Sequence, residues 1–108
     1  MFKHHSKTFS YSPAVSGVVT KYWLHWYLDF IAAHQKRLRR LKLFKKGQKW
    51  VHEVRFRKAT IYVYPVDQPD AEPLTFPQKL YSDVTEPKIT LYLVDEELMT
   101  EEEHDASL

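Results

Sequence analysis

The sequence predicts an α+β fold: one long N-terminal helix, over about residues 18–46, packed on a small antiparallel sheet. Three observations predict it. The run VVTKYWLHWYLDFIAAHQKRLRRLKLFKK lacks proline and glycine and spaces its polar residues helically. Two later stretches alternate with a period of two, and a proline-rich acidic segment separates them. With 108 residues and 44% hydrophobic content, the chain can build one domain with one core. The expected division is an extended arm over 1–17, the α+β domain over 18–94 and an acidic tail over 95–108 that is expected to be mobile.

Residues 1–17 show no period and contain Pro13 and Gly17, which reads as an extended arm anchored by Phe2, Phe9 and Tyr11. Ser16 or Thr20 would cap the helix, because a hydroxyl there accepts from the free amides of the first turn. Within the helix, Lys21, His25 and Asp29 recur every four residues as a narrow polar stripe. Tyr22, Trp23, Trp26, Tyr27 and Phe30 crowd the remaining arc. Its second half keeps Leu38, Leu41 and Phe44 on one side and gives the rest to lysine and arginine. Gly47, after Lys45 and Lys46, supplies the stop.

Next, Trp50, His52, Val54 and Phe56 alternate with polar neighbours, and the apolar phase then moves to Ile61 and Val63. That phase change predicts a hairpin over about 49–66, with a four-residue loop at Arg57 to Thr60 that sets Phe56 opposite Ile61 and Val54 opposite Val63. Five prolines between 65 and 87 exclude a helix or a central strand. They leave room for a short edge strand near Leu74 to Phe76 and a turn near Leu80 and Tyr81. KITLYLV predicts a strand over about 88–94.

Dimensions add a constraint. A helix of 28 residues is about 42 Å long, whereas three strands side by side cover only about 14 Å. The sheet cannot cover such a helix, so Tyr22, Trp23, Trp26, Tyr27 and Phe30 are expected to meet a second copy, a larger assembly or a membrane surface.

The absence of cysteine excludes disulfide frameworks, thiolate metal sites and cysteine nucleophiles, and favours an intracellular setting, cytoplasmic or organellar. No apolar signal segment opens the chain, which argues against secretion. With Gly17 and Gly47 as the only glycines, a glycine-rich phosphate loop is excluded. His25 and Asp29 stand one turn apart and are expected to satisfy each other, with no nucleophile beside them. His4, His5, His34 and His104 show no metal-ligand spacing. No cofactor, metal or small-molecule substrate is therefore expected.

Charge carries the functional expectation. Residues 1–58 hold 14 basic residues against Asp29 and Glu53, and residues 59–108 hold Lys79 and Lys88 against 12 acids. The basic set, Lys36, Arg37, Arg39, Arg40, Lys42, Lys45, Lys46, Lys49, Arg55, Arg57 and Lys58, has the density that binds phosphate backbones by counterion release. Tyr62, Tyr64 and Tyr92 are expected to share the outer sheet face with Arg55 and Arg57, where bases could stack. The expected function is a non-enzymatic accessory subunit or adaptor that docks by its aromatic helix and presents a basic surface to nucleic acid or an acidic protein. The alternatives are a membrane-peripheral subunit and a small toxin-type ribonuclease using Arg55, Arg57, His52 and Tyr62.

Overall fold

Ser12, rather than Ser16 or Thr20, starts the first helix. Its Oγ accepts from the Val15 amide at 3.2 Å, and Pro13 occupies the first helical position, where its missing N–H costs nothing. The computed structural model describes residues 1–68, 70–81 and 87–108. Helix α1 (Pro13–Lys21) ends in the next turn, where Trp23 takes a left-handed φ of 56°. Helix α2 (His25–Leu38) follows at once, and a 3-10 turn over Lys42–Phe44 leads to Gly47.

The single helix over 18–46 is thus replaced by two helices and a turn. The molecule measures 33 × 30 × 27 Å, so a straight helix of about 42 Å would overhang it. Breaking at Tyr22–Leu24 folds both segments onto one core, with Val15, Val19, Leu24, Tyr27, Leu28 and Ile31 all buried. The second break at Arg39–Leu41 tucks Phe44 inside and leaves Leu41 exposed, so the predicted Leu38, Leu41, Phe44 face does not exist.

The sheet is also larger than expected: seven strands in the order β1-β2-β7-β6-β3-β4-β5. These are β1 (Phe2–Lys3), β2 (Ser10–Tyr11), β3 (Gln48–Arg55), β4 (Lys58–Pro65), β5 (Leu74–Tyr81), β6 (Lys88–Val94) and β7 (Glu97–Thr100). All neighbours are antiparallel except β2 and β7, which makes the sheet mixed. The arm is therefore not free: it forms a small hairpin whose second strand runs beside the C-terminal strand. The acidic tail, too, takes up regular structure. It supplies β7 and helix α3 (Glu101–Ala106), capped by a reciprocal Thr100–Glu103 box.

The hairpin of β3 and β4 has the predicted faces in a shifted register. Val54 pairs with Ala59, His52 with Ile61 and Trp50 with Val63, and the loop is only Phe56–Arg57. Both loop residues take left-handed φ (52° and 63°), the two-residue turn that suits the right-handed twist of paired strands. Side-chain direction depends only on parity, so a register error of an even number of residues preserves the faces. Strand β5 lies at the sheet edge, the position in a sheet that tolerates a proline such as Pro77, and it runs on through the turn expected near Leu80 and Tyr81. Residues 82–86 of the proline-rich stretch lie outside the described residues.

Helices α1 and α2 cover one face of this sheet. Trp50, Ile61, Val63, Ile89, Leu91, Leu93 and Leu98 point inward to meet them. Among the described residues, the opposite face carries α3 at one side and is otherwise open.

Candidate nucleic-acid interface on the open sheet face

β3 is the central strand, paired with β4 on one side and β6 on the other, so its outward side chains define rows across three strands. The first row is Tyr64, Lys49, Tyr92. The Lys49 ammonium lies 5.8 Å from the Tyr64 ring centroid and 5.9 Å from that of Tyr92, within reach of both ring faces. The second row is Tyr62, Val51, Thr90, and the Tyr62 and Tyr64 rings are 6.4 Å apart. The third is Thr60, Glu53, Lys88, and Arg55 with Lys58 closes the hairpin end.

Glu53, Arg55, Lys58, Thr60, Tyr62 and Tyr64 line a cleft of about 430 Å³ on this face. Glu53 is neutralised there by Arg55 at 2.5 Å and Lys88 at 3.7 Å. Lys58 and Arg57 form no ion pair among the described residues. From Lys49 to Arg55 the track spans six residues of strand, about 20 Å.

Tyr92 departs from the expected platform. His104 of α3 lies flat on its ring, with centroids 3.9 Å apart and planes within 3°. Burial, and then the charges of Glu101 and Asp105, raise its phenol pKa. The stacking surface open to a ligand is therefore Tyr62 and Tyr64 with Lys49, while acidic α3 bounds it on the β6–β7 side.

The predicted basic set divides. Lys36, Arg37, Arg39, Arg40, Lys42, Lys45 and Lys46 sit exposed on the end of α2 and the following turns, leading into Lys49. Arg55, Arg57 and Lys58 lie at the far end of the hairpin. Self-neutralisation by the acidic residues of 59–108 is slight among the described residues. Among the described residues Arg39–Glu96, at 3.7 Å, is the one ion pair joining the two; the Arg39 guanidinium also donates to the Thr8 carbonyl at 2.6 Å.

The predicted partner interface shrinks. Tyr27 is wholly buried, and Tyr22 and Phe30 pack on the core, so the chain covers most of the aromatic arc itself. Trp23 (84% exposed) and Trp26 (40%) stay outside, and Phe56 at the hairpin tip is 96% exposed. Among the described residues, no helix is long and apolar enough to cross a membrane.

The residues offered for a ribonuclease do not all meet: Arg55 and Tyr62 share the outer cleft, and His52 is not in it. His52 is completely buried under α2, between Trp26 and Tyr27, with ring centroids 5.7 and 5.6 Å away. Arg55 and Tyr62 lie on the other face. Among the described residues, neither His52 nitrogen nor the Tyr27 hydroxyl has a hydrogen-bond partner. Burial lowers the His52 pKa and raises that of Tyr27, so both stay neutral near pH 7.

His25 and Asp29 do not satisfy each other either. Asp29 turns to the N-terminal hairpin, 2.8 Å from His4 Nε2 and 3.6 Å from His5 Nε2. Sequence spacing could not reveal this group, because the aspartate stands 25 residues after His4 and 24 after His5 and is joined to them only by tertiary packing.

No curated protein and no solved structure matches this chain. Residues 1–104 match the model of DUF6876, described as a family of unknown function, and the chain belongs to that family.

Proposed function

We propose that this chain is a non-enzymatic binding module whose open sheet face takes single-stranded nucleic acid. The observation that carries the reading is the pair Tyr62 and Tyr64 on the outward face with Lys49 beside Tyr64. These two half-exposed rings offer surfaces on which bases of any identity can stack, and Lys49 supplies charge beside Tyr64. Lys45 and Lys46 at one end of the track and Arg55, Arg57 and Lys58 at the other place positive charge where a backbone would enter and leave. The acids of α3 repel phosphate and direct the strand over β3 and β4.

Fluorescence anisotropy with a labelled pyrimidine oligonucleotide of about 15 nucleotides tests this. Binding should fall steeply with salt. Tyr62→Ala with Tyr64→Ala should weaken it at least tenfold, since each stacked base contributes about 1–3 kcal/mol. No binding at low salt, or binding untouched by that double variant, would overturn the reading.

A second reading rests on Trp23, Trp26 and Phe56, large apolar groups left exposed on this protein. They suit docking into a larger assembly or resting on a membrane surface. Light scattering reads the first as an increase in mass, and vesicle flotation reads the second. Loss of either behaviour in Trp23→Ser with Trp26→Ser would assign it to this patch.

A further inference from the structure

We propose that His4, His5 and Asp29 form a binding site for a divalent transition metal of the zinc class. One ligand atom from each of the three residues lies within 4.8 Å of those of the other two. A tetrahedral ion with bonds of about 2.0–2.1 Å needs its ligand atoms about 3.3 Å apart. His4 Nε2 and Asp29 Oδ1 are already at 2.8 Å, and His5 Nε2 is 3.6 Å from the same oxygen. The movement required is small, and His5 and Asp29, both exposed, are free to make it.

The site is built rather than incidental. His4 is 5% exposed, stacked on the buried Phe9 ring at 5.0 Å, and its backbone is held in the hairpin by the bond from its amide to the Phe9 carbonyl. The His5 ring lies 4.1 Å from it, so adjacent imidazoles face the same carboxylate instead of diverging. Ser6 stands behind the group: its hydroxyl is 2.6 Å and its amide 3.2 Å from His4 Nδ1. With the amide donating to Nδ1, the ring proton sits on Nε2 and is shared with Asp29. On metal binding that proton has to pass to Nδ1, where Nδ1–H donates to the Ser6 hydroxyl and the Ser6 amide gives up its bond to the ring. Metal-bound imidazoles typically make this kind of outer hydrogen bond.

Two imidazoles and a carboxylate match zinc, cobalt, nickel or copper, and not the all-oxygen shells of calcium or magnesium. Three protein ligands leave a fourth position to water or to a group from a partner. Because the ligands come from both the N-terminal hairpin and α2, the ion would also tie that hairpin to the helix.

Calorimetric titration of the full chain with Zn²⁺ after chelator treatment, together with Co²⁺ as a visible-absorption probe, tests the site. One equivalent should bind, and Co²⁺ should show the intense d–d bands of a tetrahedral environment. His5→Ala and Asp29→Asn, both at exposed side chains, should each weaken binding at least tenfold while the circular dichroism is unchanged. Ser6→Ala should weaken it less. No binding, or one-equivalent binding that survives the His5→Ala, Asp29→Asn double variant, would overturn the proposal. Mg²⁺ should produce no heat; equal binding of Mg²⁺ would also count against it.

Discussion

The side-chain amides of Gln35 and Gln48 face each other inside the core and exchange two hydrogen bonds, at 2.8 and 3.0 Å. Both residues are buried. The Gln35 amide also donates to the Ile31 carbonyl at 3.0 Å, and the Trp50 indole N–H donates to the Gln48 oxygen at 2.8 Å. This closed polar network pins the last turns of α2 to the first residue of β3, so it fixes the angle at which helix meets sheet.

Replacing one partner should cost more than replacing both. Gln35→Leu leaves the Gln48 amide N–H₂ buried without an acceptor and should lower stability by about 1–3 kcal/mol. The Gln35→Leu, Gln48→Leu double variant should recover part of that, though the Trp50 N–H then loses its acceptor. Denaturant unfolding of the four proteins gives the coupling directly, and additive losses would show that the amides do not act as a unit.

His52 makes stability depend on pH. Its pKa is lowered by burial in the folded state, so the unfolded chain binds the proton more readily. Stability from this group is then full above its ordinary value of about 6.5 and declines as pH falls below it. The Tyr27 hydroxyl is neutral and the Trp26 ring uncharged, so neither offers the imidazolium a counter-charge. His52→Leu should flatten the decline between about pH 6.5 and 5, measured by thermal unfolding across that range.

Glu103 adds a second dependence, of opposite origin and at lower pH. Partial burial raises its pKa, but hydrogen bonds from the Ser12 hydroxyl at 2.5 Å and the Thr100 amide at 3.0 Å outweigh this and leave it lowered. The stability it contributes is present above the ordinary carboxylate range and lost as pH falls through the folded value. Ser12→Ala removes the helix cap of α1 and the donor to α3 together, and should cost about 1–2 kcal/mol. Glu103→Gln should cost less, and the two losses should not add.

The turn of β3 and β4 is held by residues ill suited to it. Phe56 and Arg57 both occupy left-handed backbone, where a side chain costs about 1–2 kcal/mol. Phe56→Asn with Arg57→Gly supplies the residues this turn favours and should raise the melting temperature by several degrees. An unchanged or lower melting temperature would show that the exposed Phe56 ring makes stabilising contacts of its own.

The strands of the central hairpin and β6 were legible in the sequence because alternation in β3, β4 and β6 is a local signal. The inward and outward sets follow from parity alone. The helix break was not legible: Tyr22-Trp23-Leu24 contains no glycine, proline or cap, and the chain turns there only because the core is shorter than the periodic segment. Strands of two residues, such as β1 and β2, carry no period at all. The acidic end read as unfolded by composition, yet Leu98 and Thr100 alternate inward and Thr100 with Glu103 spells a capping box. For the candidate interface, the tyrosines and lysines were found by alternation, but the cover that His104 places over Tyr92 comes from the packing of α3 on β6, a tertiary contact that a local capping signal does not disclose.

The parallel contact of β2 with β7 ties Ser10 to Glu97, 87 residues later. During synthesis the N-terminal hairpin leaves the ribosome long before that partner exists. At about 5–20 residues per second the wait is about 4–17 s, far longer than the microseconds in which hairpins and helices form. Throughout that interval β2 has no β7 to pair with, so the N-terminal hairpin waits for its place in the sheet even after β3 and β4 have emerged and paired.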